Sequence, residues 1–296
     1  AQTLFIAARA IEMTCFGHAK LDDPRLEKQL HTWRGVLAHV SFEHRGFVLR
    51  LIMSIAAIRC TLVLLALLKD ARQTPWLAVL FAWNPLILLE TAGMGYVQIV
   101  ALLLLLAMAR MLQRHKLPLA VLALCLACGV QPMAILLAPL LIRQIMTLRD
   151  WTIARRSMAV AALTLLAVYL PILAIQHGAA GWIGQLRTNA HFQDFNSPLF
   201  TFLRSHAHWR TAALFLPALA AAGSLLWLLR QNAPIEDSGY WLMLCPLLVA
   251  PIIPPWRLIA TLGFVPVMKH RGGWTALTWS ATASLAYITW HTPSTA

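Results

Sequence analysis

The feature that most constrains this chain is a series of long apolar runs, of which Phe47–Leu68 is the first. Most runs are roughly 15 to 22 residues long, the length with which an α-helix crosses about 30 Å of hydrocarbon. Only 12% of the 296 residues are charged, whereas soluble domains carry about 25%. The runs therefore predict an all-α, polytopic integral membrane protein with about eight or nine membrane helices, some of them short or re-entrant.

The excess of basic residues lies between the apolar runs. The chain holds 24 Lys and Arg against 11 Asp and Glu, a net charge of +13. In a nucleic-acid-binding domain these charges would lie on one solvated face. Here they form clusters in short linkers, such as 110–116, which is the pattern of cytoplasmic loops under the positive-inside rule. We expect no nucleic acid among the partners.

The distribution of Lys and Arg also predicts how the chain crosses the membrane. Gln131–Pro132 interrupts the run Leu117–Ile142, because proline lacks a backbone N–H and clashes with the preceding turn. We therefore divide this run into two short helices joined by a turn. Five linkers that together hold twelve Lys and Arg then share one side, whereas the short linkers of the other side hold none. The five basic linkers are 69–75, 110–116, 143–156, 230–239 and 269–273.

Two long polar segments fall on the side opposite the basic linkers. Residues 1–46 are predicted to form an extracytoplasmic N-terminal segment. Residues 176–210 are predicted to form an outer loop within a transmembrane domain that spans 47–296. Two arginines, Arg59 and Arg257, lie within apolar runs. The insertion of an arginine at the bilayer centre costs about 2.5–3.5 kcal/mol of free energy on insertion scales. Glu90 is a candidate ion-pair partner for either arginine.

Three stretches, in this order along the chain, resemble a known family. Trp83–Gly93 reads WNPLILLETAG and resembles the "NPLxLLE-xAG" segment of bacterial GT-C glycosyltransferases similar to the polyprenyl-phosphate-mannose-dependent mannosyltransferases. Gly129–Pro139 resembles their "xxKPxxLLLLP" helix pair, and Phe195–Phe200 resembles their outer-loop "FNSxLF" segment. The resemblance implies a GT-C fold in the bacterial inner (plasma) membrane. It also implies transfer of a mannose-like sugar from a polyprenyl phosphate to an extracytoplasmic acceptor.

Such a transfer needs a carboxylate that deprotonates the acceptor hydroxyl and polar groups that stabilise the phosphate. The candidate catalytic carboxylates lie in the N-terminal segment and are Glu43, Asp22 and Asp23. The pair Asp22 and Asp23 also fits a turn that opens a helix. The candidates for binding the lipid phosphate are Arg257, Glu90, Gln131 and Gln98. Three outer-loop residues either face the substrate or belong to a solvated loop: His191, Asp194 and Asn196. We expect no metal site and no cofactor, since the lipid-linked sugar would serve only as donor.

The chain departs from this family at the positions that carry its chemistry. The polar "xGHND" turn is replaced by Gly95–Gln98, the lysine of "KP" by Gln131, and "HPWY" by Pro255–Arg257. The acidic "WDG" element is not recognisable in Ala7–Cys15. The sequence therefore favours a catalytically degenerate GT-C-like protein. Such a protein would be a non-catalytic structural or accessory subunit that packs against membrane lipids and other integral membrane subunits. The alternative is an active lipid-phosphate-sugar-dependent hexosyltransferase with a rearranged site.

Overall fold

In the computed structural model, the described residues are 46–175, 215–250, 253–269 and 273–290, and they are helical with no strand among them. Within these ranges the α-helices are α1 Phe47–Asp70, α2 Val79–Ala82, α3 Pro85–Leu88, α4 Gln98–Gln113, α5 Leu117–Val130, α6 Ala138–Thr147, α7 Trp151–Ile175, α8 Leu216–Gln231, α9 Ile235–Leu248, α10 Leu258–Phe264 and α11 Trp274–Trp290. Short 3₁₀ segments are Pro75–Ala78, Pro132–Leu137, Pro255–Arg257 and Val265–Val267, and Leu89–Gly93 is a π-helical turn. The all-α prediction is confirmed for this part of the chain.

Two described helices, α1 and α7, are long and apolar enough to cross a membrane. A third such element is Pro75–Gly93, if its two halves, which are bent by 55° at Asn84, count as one span. The apolar helices α4 and α5 and the segment Pro132–Thr147 are shorter than a full span. These helices support membrane association, and the count of eight or nine membrane helices stays a prediction.

The core of the described bundle is formed by antiparallel neighbours along the chain. Helix α4 packs between α1 and α5, and α7 packs on the other side of α5. Helix α10 reaches α4 closely because Gly263 has no side chain, and a Cβ at this position would overlap Leu102. Both Leu102 and the neighbouring Phe264 are fully buried. A small residue thus sets the distance between these two helices, as is common in membrane proteins.

The break at Gln131–Pro132 is present. Helix α5 ends at Val130, Gln131 adopts an extended conformation with φ −135° and ψ 103°, and Pro132 opens a 3₁₀ segment that leads into α6. Proline fits the first position of that segment because its missing N–H would have no helical partner there. The prediction of a turn or break inside Leu117–Ile142 is confirmed.

Four helices end in the same way, with a left-handed residue after the last turn. These residues are Arg72 after α1, His115 after α4, Arg149 after α6 and Asn232 after α8, each with φ between 50° and 56°. After α1, α4 and α8 the following N–H donates a hydrogen bond to a carbonyl five residues earlier, as in a Schellman motif. All four positions lie in the linkers that the charge pattern assigns to one side.

Candidate functional site

The two ends of the bundle differ in their polar contacts. We call the end formed by Asp70, Arg114 and Glu236 the Asp70 end. We call the end formed by Arg50, Tyr96 and Trp256 the Tyr96 end. Antiparallel packing of α1, α4 and α5 carries the chain from one end to the other between successive turns.

At the Asp70 end, polar contacts join all five basic linkers. The Asp70 carboxylate lies 3.9 Å from Arg110 Nε and 3.5 Å from Arg114 Nη2. Gln113 Nε2 donates to Glu236 Oε1 at 2.8 Å. The remaining contacts run from Arg143 Nη1 to Asn232 Oδ1 at 3.2 Å and from the backbone N–H of Lys269 to Asp237 Oδ1 at 2.9 Å. The structure therefore places the linkers together, as the charge pattern predicts.

The acidic members of this cluster were missed by our sequence reasoning. Glu236 and Asp237 occupy the first turn of α9, where the helix dipole favours negative charge, and both are buried. The count of Lys and Arg predicted only a shared side, because it carries no information on which acid each base meets. A weak signal existed in the acidic pair directly after Pro234 at a helix start.

The bend at Asn84, between the two ends, has a structural explanation. Asn84 Oδ1 accepts a hydrogen bond from the Leu86 N–H at 3.0 Å and so caps α3, with Pro85 at the first helical position. Asn84 Nδ2 donates to Ser280 Oγ in α11 at 2.9 Å. Since Asn84 and Ser280 are both buried, this asparagine fixes a bend and attaches it to the last described helix.

Glu90 lies in the π-helical turn that follows, and its side chain is fully buried. Thr91 in the same turn donates its hydroxyl to the Ile87 carbonyl at 2.6 Å. The Glu90 carbonyl accepts the N–H of Tyr96 at 2.9 Å, which folds the chain back over the turn. Burial raises the pKa of the Tyr96 phenol, and the negative charge of Glu90 raises it further. Glu90 thus acts electrostatically on Tyr96.

Tyr96 and Gly95 connect this turn to two arginine-bearing elements. The Tyr96 ring stacks on Trp256, which directly precedes Arg257, with ring centroids 4.4 Å apart. Gly95 has φ +73°, and a Cβ built on it would lie 3.3 Å from Arg50 Cγ. A glycine is therefore required here both for the left-handed backbone and for the close approach of Arg50.

The two candidate glutamines also belong to the Tyr96 end. Gln98 opens α4, and Gln131 follows the last residue of α5, so antiparallel packing brings both to this end. Their Oε1 atoms are buried and accept no hydrogen bond within the described residues. An amide neither accepts a proton as a base nor carries charge near neutral pH, so these two side chains supply only hydrogen bonds.

An apolar groove of about 750 Å³ opens beside Gln131 between α5 and α7. Tyr169 lies in its wall and donates its hydroxyl to the Cys128 carbonyl at 3.2 Å. The other lining residues are almost all aliphatic: Pro132, Ile135, Ala162, Leu165, Leu166 and Leu170. A groove of this size and chemistry fits an acyl or isoprenoid chain.

The structure therefore brings Glu90, Gln98, Gln131 and Arg257 to one end of the bundle. The other candidates lie outside the described residues: Glu43, Asp22, Asp23, His191, Asp194 and Asn196. Gly46, which directly precedes α1, and Tyr169, in the last part of α7, also lie at the Tyr96 end. The described chain thus enters α1 and reaches the last part of α7 at the same end of the bundle. No group of three His, Cys, Asp or Glu that could hold a metal ion occurs within the described ranges.

Comparison of the chain with models of protein families, with curated proteins and with solved structures finds no match.

Proposed function

We propose that this chain is a GT-C-like membrane protein that has lost glycosyl transfer and serves as a non-catalytic, accessory subunit of a membrane protein assembly. The two long apolar helices α1 and α7 support its placement in a membrane. The observation that carries the loss of activity is the pair of neutral amides, Gln98 and Gln131, at the Tyr96 end.

The chemical argument concerns proton transfer and charge. Glycosyl transfer from a lipid phosphate needs a general base for the acceptor and cationic stabilisation of the departing phosphate. In the resembled family, His and Asp follow the "NPLxLLE-xAG" segment, and a lysine precedes the proline of the helix pair. This chain has Val97, Gln98 and Gln131 at those positions. Positioned base catalysis contributes typically about 10²–10⁴-fold, so its loss would leave little turnover.

The proposed location is the bacterial inner membrane, with the Asp70 end in the cytoplasm. The twelve Lys and Arg of the five basic linkers support this orientation. Segments 1–46 and 176–210 would then lie on the extracytoplasmic side, where the chain would meet lipid headgroups at the Tyr96 end. Membrane lipids and other integral membrane subunits are the proposed partners.

A second candidate function is an active hexosyltransferase with a rebuilt site. Two features favour it: the apolar groove beside Gln131, which fits a polyprenyl chain, and the arginines of the Tyr96 end, Arg50 and Arg257. In this alternative, Arg257 replaces the missing lysine at the phosphate and Glu43 serves as the base.

Two measurements separate these functions. Purified protein supplied with polyprenyl-phosphate-mannose or polyprenyl-phosphate-glucose should show no transfer above a control without protein. Turnover that disappears in Glu43→Gln and in Arg257→Gln would establish the active alternative. In mild detergent, the protein extracted from native membranes should carry at least one stoichiometric integral membrane partner, and purification as an isolated chain would refute the accessory role.

A further inference from the structure

Arg59 lies near the middle of the long apolar helix α1 and on its exposed face. It is the thirteenth of the 24 residues of α1, so it lies about 18 Å along the axis from the first residue at 1.5 Å per residue. The half-thickness of the hydrocarbon layer is about 15 Å. At this depth the side chain of Arg59 does not bring its guanidinium to either membrane surface. An arginine near a helix end, in contrast, reaches the surface with its side chain.

The two hydroxyl side chains of α1, Ser54 and Thr61, are satisfied within the helix. Ser54 Oγ donates to the Arg50 carbonyl at 2.8 Å, and Thr61 Oγ1 donates to the Ala57 carbonyl at 3.1 Å. Arg59 is exposed and makes no hydrogen bond or ion pair with any part of the chain that the structure describes. An arginine carries five N–H donors in a planar fork. Its position within the apolar span thus requires an acceptor from outside the described bundle.

The residues beside Arg59 form a seam for another helix. The exposed residues Leu51, Ile55, Ile58 and Leu62 follow one another at spacings of four, three and four, which is the pattern of a and d positions in left-handed helix packing. If Ile55 and Leu62 are a positions, Arg59 is an e position. Residues at e flank the seam and meet charged residues of the partner helix.

We propose that this face of α1 binds a transmembrane helix of another protein that carries one Asp or Glu at the depth of Arg59. A carboxylate is the acceptor that matches the guanidinium fork with two parallel hydrogen bonds. Within a bilayer such a charged pair also avoids exposing either charge to hydrocarbon. This inference rests on the proposed accessory function and specifies the chemistry of its partner.

The other occupants of this face fit less well. A lipid headgroup lies at the membrane surface, about 15 Å from the centre, and does not reach Arg59 at its depth. A second copy of the described residues offers no carboxylate at that depth, since its exposed acids, Asp70 and Asp150, lie at helix ends. In a symmetric pair built on the α1 seam, Arg59 would moreover face its own copy.

The test uses the full chain in phosphatidylcholine vesicles and a synthetic leucine-rich transmembrane peptide with one central Asp. Binding is measured by energy transfer between labelled protein and labelled peptide, and the reference peptide has Leu in place of the Asp. The protein should bind the Asp peptide about tenfold more tightly than the Leu peptide. Arg59→Leu should abolish this preference, and Arg59→Asp should transfer it to a peptide with one central Arg. Arg156→Leu, which removes an exposed arginine near the start of α7, is the matched control and should keep the preference.

Equal binding of the Asp and Leu peptides, or a preference that persists in Arg59→Leu, would overturn the inference. A preference that appears only after phosphatidylglycerol is added would assign Arg59 to lipid and would also overturn it. The two proposals fail separately. A native partner that co-purifies equally with the wild type and Arg59→Leu refutes only this inference, whereas the absence of any partner from the wild type refutes the accessory function. Circular dichroism should show Arg59→Leu to be folded, because the change removes a charge from an apolar span.

Discussion

The indole of Trp256 stacks on the ring of Tyr96, with the two centroids 4.4 Å apart and the planes within 16° of parallel. The contact joins two turns that are far apart in the sequence, Met94–Val97 and Pro255–Arg257. It places Arg257 near the π-helical turn that contains Glu90. The stack is thus a central structural element of the Tyr96 end.

Removal of the aromatic ring at Tyr96 should weaken this end of the bundle. Tyr96→Ala should lower the free energy of unfolding by about 0.5–1.5 kcal/mol beyond the loss of buried area, because an offset-stacked pair is lost. Tyr96→Phe keeps the ring and should unfold within about 0.5 kcal/mol of the wild type. Thermal unfolding in detergent, followed by circular dichroism, measures both, and equal destabilisation by Ala and Phe would contradict a role for the stack.

Substitution of Asn84 should separate its two hydrogen-bonding roles. Asn84→Ala removes the cap of α3 and the bond to Ser280, and should cost about 1–3 kcal/mol. Asn84→Ser retains a capping oxygen and should lose only the bond to α11. A double-mutant cycle with Ser280→Ala should give a favourable coupling energy between the two side chains. A coupling energy of zero would mean that the contact between Asn84 and Ser280 contributes nothing to stability.

Gly263→Ala should destabilise the contact between α10 and α4. The added methyl group would overlap the buried side chain of Leu102, and overpacking of this kind typically costs about 1–3 kcal/mol. The gain in helix propensity from Gly to Ala, about 1 kcal/mol, opposes this cost. The double variant Gly263→Ala with Leu102→Ala should be less destabilised than the sum of the single variants, and strict additivity would argue against the overlap.

The start of α7 should show a dependence on pH. Asp150 Oδ1 accepts hydrogen bonds from the hydroxyl and N–H of Thr152 and from the N–H of Ile153, and these bonds lower its pKa. Since the folded-state pKa lies below the unfolded value, the carboxylate stabilises the folded state at neutral pH, and this contribution is lost as the pH falls through the folded pKa. Asp150→Asn keeps a capping oxygen and should lack this dependence. The wild type should therefore unfold at a higher temperature than Asp150→Asn at about pH 7, and this difference in unfolding midpoint should shrink as the pH falls to about 3.

Labelling from outside the cell tests the orientation of the bundle. In a cysteine-free background, Met94→Cys places an exposed thiol at the Tyr96 end, and Gln231→Cys places one at the Asp70 end. A membrane-impermeant maleimide should modify the first in intact cells and the second only after permeabilisation. The opposite result would reverse the orientation, and equal labelling of both would refute the assignment of the two ends to two sides.

Several features of this protein follow from the sequence by itself. Apolar runs predicted helices because a backbone without water must satisfy its own hydrogen bonds. The break at Gln131–Pro132 was predictable because proline acts on its own turn and the one before it. The grouping of the five basic linkers was predictable because helices that pack antiparallel return the chain to the same end at every second turn. The candidate residues Glu90, Gln98, Gln131 and Arg257 were brought to one end for the same reason.

Only the tertiary structure decided which side chains meet and which face outward. Asn84 and Ser280 are separated by 196 positions, and the pairing of Tyr96 with Trp256 depends on how two distant turns dock. Such contacts depend on the rotation of each helix about its axis, which is set by packing against all its neighbours. The same rotation of α1 buries Met53 and Cys60 and leaves Arg59 exposed. In the sequence of α1 the apolar residues surround the helix almost evenly, so nothing in their pattern fixes which side an arginine will face.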